Sequence, residues 1–352
     1  VASGPLERMD GKGWMYAQNE ISQSRMRDYL KCPKSYYYGR VNRGGRGPAS
    51  AALPMGSAFH AAVESFHNTV RKGFEPNLDL IMDIAKLEFE TQYESFGKQK
   101  EPRMVEIDKS MGYPNKTKDY TPPSRGVPMH EIDGAMERAV KNVQWWVTCY
   151  IEAYNAGELT VMDGVTIGCE IDYRRFDEKL GVFLRGKLDI VFDDRMVGDW
   201  KTCSTNPQWQ FSQLRADAEF QADYYAGIML GDEDAELTFV YITTTKEPHP
   251  DYQKEPAKNK DGSYRKGRGG QPPVYPKKAK VAVHTTKRTK ADVESLKERI
   301  AAFLALTDVL NNHKDGFFGR DTSPNAYTHC DKMCDFKDRC YREMLEERGA
   351  SR

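Results

Sequence analysis

The stretch RGKLDIVFDDRMVGDWKTCS, residues 185–204, places charges where paired strands should be apolar. Two apolar runs flank an Asp-rich break, the pattern of a β-hairpin. With Asp193, Asp194 and Arg195 as the turn, Phe192 faces Met196 and Asp189 falls directly across from Asp199. Side chains two apart on a strand share a face, so Lys201 joins Asp199, and Lys187 stands across from Lys201. Like charges facing each other at about 4.5–5.5 Å between Cβ atoms destabilise a sheet unless something positive lies between them. A divalent cation meets that need. Hard carboxylate oxygens suit Mg²⁺ or Mn²⁺, and a lysine just beyond such an aspartate can hold or deprotonate a water. A solvated surface hairpin accounts for the same charges without any metal, so the choice rests on the rest of the chain.

The chain has 352 residues, enough for one large domain with insertions or two modest ones. No apolar run approaches the roughly 20 residues of a membrane helix, and the first residues lack the apolar core of a signal peptide. A soluble cytoplasmic protein with no membrane partner is therefore expected. Seven cysteines in that compartment point to metal or redox chemistry rather than a disulfide framework. The formal net charge is zero, which argues against a uniformly basic nucleic-acid binder, yet the positive charge is concentrated. Residues 246–290 carry 13 Lys/Arg against 4 Asp/Glu, leaving 39 against 48 elsewhere. This Gly- and Pro-rich segment lies between the β-like runs LTFVYITTT and KVAVHTT, so it reads as a long basic loop on a hairpin. Such a loop can track phosphates and stack bases on Tyr264 or Tyr275, or it can be a solvated linker.

Ahead of the opening hairpin the pattern is helical. GSAFHAAVESFHNTVRKG has Ser57 as its expected N-cap, LDLIMDIAKLEFETQYESFG continues the period, and MHEIDGAMERAVKNVQWWVTCYIEAYNAG forms a third helix. VTIGCEIDYRRF, GVFLRGKLDIVF and MVGDWKT then read as three successive strands. The helix DAEFQADYYAGIML, the strand LTFVYITTT and a last helix, ADVESLKERIAAFLALTDVL, follow. The expected divisions are an N-terminal region over 1–60, a helical insertion over 61–160, a core over 161–290 that includes the basic loop, and a C-terminal helix with a cysteine-rich tail over 291–352. The fold class is α/β, a mixed central sheet flanked by helices.

The order GSAFHAAVE, CEIDYRRF, GKLDIVF, GDWKT and QADYYAGI resembles the RecB-like branch of the PD-(D/E)xK nucleases, which includes CRISPR-associated and phage-encoded exonucleases. The resemblance runs from about Ser22 to Cys340 and implies a restriction-endonuclease-like fold. It implies that His60, Asp189 and Asp199 bind the metal, that Lys201 serves the attacking water, and that Gln221 and Tyr225 flank the site. Glu170, on the preceding strand, stands where the family often has an acid. His60 and Glu64 are four apart on one helical face, so Glu64 can orient the imidazole; Gln221 and Tyr225 are likewise four apart, and both can donate to a phosphate or a water.

The tail HCDKMCDFKDRCY supplies Cys330, Cys334 and Cys340, and the run S-x-M-x-x-Y-x-x-C-P-x-x-Y supplies Cys32. In an AddB-like subset of the family, one N-terminal and three C-terminal cysteines hold a [4Fe–4S] cluster that staples the two regions together. The subset's usual tail is C-x2-C-x5-C, whereas this chain has C-x3-C-x5-C. Four thiolates suit either an iron–sulfur cluster or, as the alternative, a structural tetrahedral Zn²⁺. Cys149, Cys169 and Cys203 fall in helix and strand patterns and read as small buried hydrophobes. The resemblance thus implies a Mg²⁺- or Mn²⁺-dependent exonuclease acting on single-stranded or frayed DNA in repair, recombination or phage or CRISPR DNA processing. Two alternatives are a non-cleaving DNA-binding scaffold on the same fold and a nuclease subunit with a helicase or recombination partner. The chain has no G-x-x-x-x-G-K-[ST], so any motor would be a separate chain.

Overall fold

The computed structural model describes residues 6–8, 20–36, 52–97, 134–159, 167–203, 215–256, 258–259, 263 and 274–312. Their architecture is a mixed seven-stranded sheet with helices on both faces, as the α/β pattern predicts. The strands are β1 (Leu6–Arg8), β2 (Glu20–Ser22), β3 (Gly168–Asp177), β4 (Val182–Asp193), β5 (Met196–Cys203), β6 (Leu237–Thr245) and β7 (Val281–Arg288). They run in the order β1-β3-β4-β5-β6-β7, with β2 added parallel to β4. β5 and β6 are also parallel; the other pairs are antiparallel.

One face is covered by α1 (Gln23–Lys31), α6 (Arg215–Leu230) and α7 (Lys290–Asn312), around Leu184, Leu188, Val197 and Phe239. The short α2 (Pro33–Tyr36) follows α1. The other face is covered by α3 (Ala52–Arg71), α4 (Leu78–Gly97) and α5 (Ala135–Asn155), around Ile190, Phe192, Trp200, Val240 and Ile242. The α3 stripe Ala58, Phe59, Ala62, Val63 and Phe66 is buried at helical spacing, and each large apolar side chain so placed stabilises by about 1.5–3 kcal/mol. Helix α3 begins at Ala52 rather than after Ser57. Pro54 lies in its first turn, where its missing N–H has no intrahelical partner to lose, so it leaves the helix intact and Ser57 falls inside. Among the described residues no helix is long and apolar enough to cross a membrane.

The opening hairpin forms, but its turn is tighter than the sequence suggests. Asp193 pairs with Met196, so only Asp194 and Arg195 lie between them. A bulge between Val191 and Asp193 absorbs Phe192 and restores the pairing Val191–Val197 and Ile190–Gly198. The β4–β5 ladder stops there, one residue short of Asp189, and the β3–β4 ladder omits Glu170 between Cys169–Ile190 and Ile171–Leu188. β2 covers Phe183 to Arg185 of β4. The sheet therefore has a notch along residues 186–189 of β4, between the β2 and β5 pairings. One of its backbone groups is bonded from α6: the Tyr225 hydroxyl donates to the Lys187 carbonyl at 2.8 Å. Gly186 makes this approach possible, since a Cβ there would lie 2.6 Å from the Tyr225 ring and 2.8 Å from Ile228.

Candidate metal centre

The side chains at the notch come from both helical layers and three strands. His60 reaches it from α3, with Nδ1 3.4 Å from Asp189 Oδ2 on β4 and 3.6 Å from Glu170 Oε1 on β3. One donor atom from each of His60, Glu170 and Asp189 lies within 4.8 Å of the other two. An imidazole nitrogen with two carboxylates is a donor set for a hard or borderline divalent cation, Mn²⁺ or Mg²⁺. Glu170 has φ +53°, a left-handed backbone that a residue with a long side chain seldom adopts. That conformation coincides with the break in the β3–β4 ladder and with the turn of its carboxylate toward His60.

Asp199 and Lys201 stand beside this trio on β5. Asp199 is 4% exposed; its Oδ1 accepts from Gln221 Nε2 at 2.7 Å and its Oδ2 is 2.6 Å from Lys201 Nζ. Of the expected metal set, His60 and Asp189 lie in this trio with Glu170, and Asp199 stands next to it on β5, held by Gln221 and Lys201. Lys187 pairs with Glu170 rather than confronting Lys201, so each lysine of the hairpin has its own carboxylate. Tyr225 is buried, and its hydroxyl is committed to the Lys187 carbonyl. Glu64 contacts Asn68 at 3.5 Å, and its charge is felt by Glu170 and His60 without a direct bond to the imidazole.

The electrostatics suit a cation. Burial, with the Asp199 charge adding to it, pushes the Asp189 carboxyl up to about 7. Burial disfavours the charged imidazole of His60, but Asp189 and Glu170 outweigh it and its pKa rises. Burial likewise opposes the Lys201 charge, yet Asp199 and Asp189 raise its pKa, so the amine remains an ammonium. Burial opposes ionisation of Glu170, and the bonds to His60 and Lys187 win, lowering its pKa. A carboxyl pushed as far toward protonation as Asp189 is a group that a divalent cation would relieve.

Three residues that do not stand out in the sequence lie directly beneath the site. The Trp200 backbone N–H donates to Asp189 Oδ2 at 2.9 Å. Its indole is fully buried and stacks on His67 with ring centroids 5.6 Å apart. The indole Nε1–H donates to the Tyr150 hydroxyl at 3.1 Å, and that hydroxyl is 2.8 Å from His67 Nε2. The available signal was the seven-residue spacing of His60 and His67, which places both on one face of α3.

Of the four candidate cluster cysteines, Cys32 is buried at the end of α1, and Cys330, Cys334 and Cys340 lie outside the described residues. Among the described residues Cys149, Cys169 and Cys203 form no disulfide, and the first and last are buried; burial pushes Cys149 up to about 11 and Cys169 up to about 12, which disfavours the thiolate of both. In the basic loop, Tyr264 lies outside the described residues, and the Tyr275 hydroxyl is 3.5 Å from the Gln253 carbonyl. Several of the segment's cations are already paired: Lys258 with Glu255, Lys277 with Glu247, Lys278 with Glu152, Lys287 with Glu236 and Arg288 with Asp223.

A family model described as the PD-(D/E)XK nuclease superfamily matches residues 20–341. A curated relative, the Gene 69 protein of Mycobacterium phage L5, is 32% identical over 68 residues, which are 19% of this chain and 23% of that protein. A crystal structure from Eubacterium rectale, of a protein named there as a candidate exonuclease, covers 85% of this chain and 88% of its own at 11% identity, with a TM-score of 0.42.

Proposed function

This chain belongs to the PD-(D/E)XK nuclease superfamily, and we propose that it is a metal-dependent deoxyribonuclease that hydrolyses phosphodiester bonds from DNA ends. The observation that carries the reading is the convergence of His60, Glu170 and Asp189 within 4.8 Å, beside the Asp199–Lys201 pair. His60, Glu170 and Asp189 would hold Mg²⁺ or Mn²⁺, with Asp199 next to them. When bound, the cation supplies Lewis-acid polarisation of the phosphate and acidifies water for in-line attack.

The chain's own residues do the rest. Lys201, kept as an ammonium by Asp199 and Asp189, stabilises the negative charge that develops on the phosphate. Gln221 fixes the Asp199 carboxylate, so Lys201 is held at the notch rather than free in solvent. Tyr225 closes the β4 backbone behind the site. Single-stranded or frayed DNA is the proposed substrate, because an extended strand can bring a bare phosphate into the notch and the basic loop can follow its backbone.

Cys32, Cys330, Cys334 and Cys340 are proposed to hold a [4Fe–4S] cluster, with structural Zn²⁺ as the alternative. The support is the cysteine pattern of the sequence; in the structure Tyr29 and Tyr36, on either side of Cys32, pack edge-on against Phe303 of α7 at 5.0 and 5.9 Å, and the tail cysteines lie outside the described residues.

The test is digestion of end-labelled linear single- and double-stranded DNA and of covalently closed circular DNA, with Mg²⁺, with Mn²⁺ and with EDTA. Loss of label from linear strands only in the presence of metal is expected. Cleavage of the circle would overturn the requirement for an end, and cleavage in EDTA would overturn the metal.

A further inference from the structure

We propose that Trp200, Tyr150 and His67 form a positioning unit that sets the separation of His60 and Asp189, and so the affinity of the site for its divalent cation. The inference rests on the metal centre proposed above. A single tryptophan reaches both donors. Its backbone N–H holds Asp189 Oδ2 at 2.9 Å, and its indole lies T-shaped to the His60 ring, with centroids 6.1 Å apart and an interplanar angle of 85°. Trp200 can serve this way only if its ring is fixed. Stacking on His67 fixes its plane, and the bond to the Tyr150 hydroxyl fixes its rotation within that plane.

The hydrogen-bond roles follow from the donors available. Indole Nε1 only donates, so the Tyr150 oxygen accepts from it; in the tautomer that leaves His67 Nε2 unprotonated, the Tyr150 hydroxyl donates to that nitrogen. His67 and His60 are two helical turns apart on α3, so the helix that presents the donor is anchored by the same indole that the donor touches. Phe59, next to His60, meets the Tyr150 ring edge-on at 5.9 Å and closes the circuit. Trp200, Tyr150, Phe59 and His67 are all buried, so none contacts substrate. Their effect is transmitted through His60 and Asp189.

The test is calorimetric titration of the full chain with Mn²⁺ in the absence of DNA, alongside thermal melts without metal. Tyr150→Phe keeps the ring and removes the hydroxyl that joins the indole to His67. It should weaken Mn²⁺ binding by about tenfold or more, the usual effect of removing a group that orients a ligand, while metal-free DNA binding stays at the wild-type level. His67→Leu should do the same. His67→Gln, whose side-chain oxygen can accept from Tyr150, should recover most of the affinity even though its melting temperature falls. A purely structural role would lower the melting temperature in all three variants and leave Mn²⁺ affinity unchanged, and that result would overturn the proposal. Should Tyr150→Phe not fold, His67→Leu and His67→Gln decide it by the same comparison. Wild-type protein that takes up no Mn²⁺ would overturn the metal centre itself, an outcome distinct from variants that match a binding-competent wild type.

Discussion

Lys201 Nζ lies 2.6 Å from Asp199 Oδ2, and the other lysine of the hairpin, Lys187, pairs with Glu170. The cluster of acids at the notch is thus partly neutralised before any metal arrives, and the two lysines have separate tasks. Lys201→Ala and Asp199→Ala should each lower cleavage by about a hundredfold or more, the effect of removing one charge-stabilising donor, with DNA affinity little changed. Near wild-type rates in a single-turnover digestion by either variant would remove the pair from the mechanism.

Metal uptake should depend steeply on pH. Asp189, pushed up to about 7, and His60, whose pKa is also raised, must both lose protons to ligate. Mn²⁺ affinity should therefore rise with pH, by about tenfold per unit for each proton released. Titrations at pH 6, 7 and 8 check this, and affinity independent of pH would contradict it.

Stability in the absence of metal should show two opposed pH effects. Burial depresses His67 to about 3, so between about 3 and 6.5 the unfolded chain binds a proton there that the folded one does not, and stability is lost as pH falls. Asp189 is shifted the other way: between about 3.8 and 7 the folded chain holds the proton, and stability is lost as pH rises. Where the windows overlap the two slopes offset each other. Asp189→Asn should expose the His67 slope as a fall in denaturation midpoint from pH 6.5 to pH 4. A midpoint as flat in the variant as in the wild type would show that His67 does not titrate this way.

The basic segment should contribute to DNA affinity unevenly. Glu247 and Glu152 already offset Lys277 and Lys278, whereas Lys260, Arg265, Lys266 and Arg268 lie outside the described residues. Neutralising the latter four should flatten the salt dependence, by about 0.7 in slope for every phosphate of a single strand that they no longer neutralise. Neutralising Lys277 and Lys278 should change it less. An unchanged slope in the fourfold variant would make the segment a linker.

A cluster held by the four cysteines would show in the protein's composition. Anaerobically purified protein should contain roughly four irons per chain and absorb broadly near about 400 nm, and Cys334→Ser should bleach it. One zinc per chain in colourless protein would support the alternative, and neither metal would end the four-cysteine reading.

The D-x-K motif and the apolar runs around it were legible because both are local. Period-2 runs located β3, β4, β5, β6 and β7, and the charges of Asp189, Asp199 and Lys201 stood out against them. Three-residue strands such as β1 and β2 carry no period to read, and their pairing is decided by distant partners. The bulge at Phe192 was invisible for a different reason: one unpaired residue changes the turn without changing composition. Glu170 looked like one more strand acid, since a left-handed φ leaves no mark in a sequence. Trp200, Tyr150 and His67 come from β5, α5 and α3 and meet only in three dimensions, so each alone reads as an ordinary core residue.

Whether the notch is a metal centre is tested most sharply by the anomalous difference density of a crystal of this protein soaked in Mn²⁺. A peak bounded by His60, Glu170 and Asp189, lost in Glu170→Ala, is the expected result. A peak held elsewhere, or none at this site under conditions where the protein cleaves DNA, would contradict it.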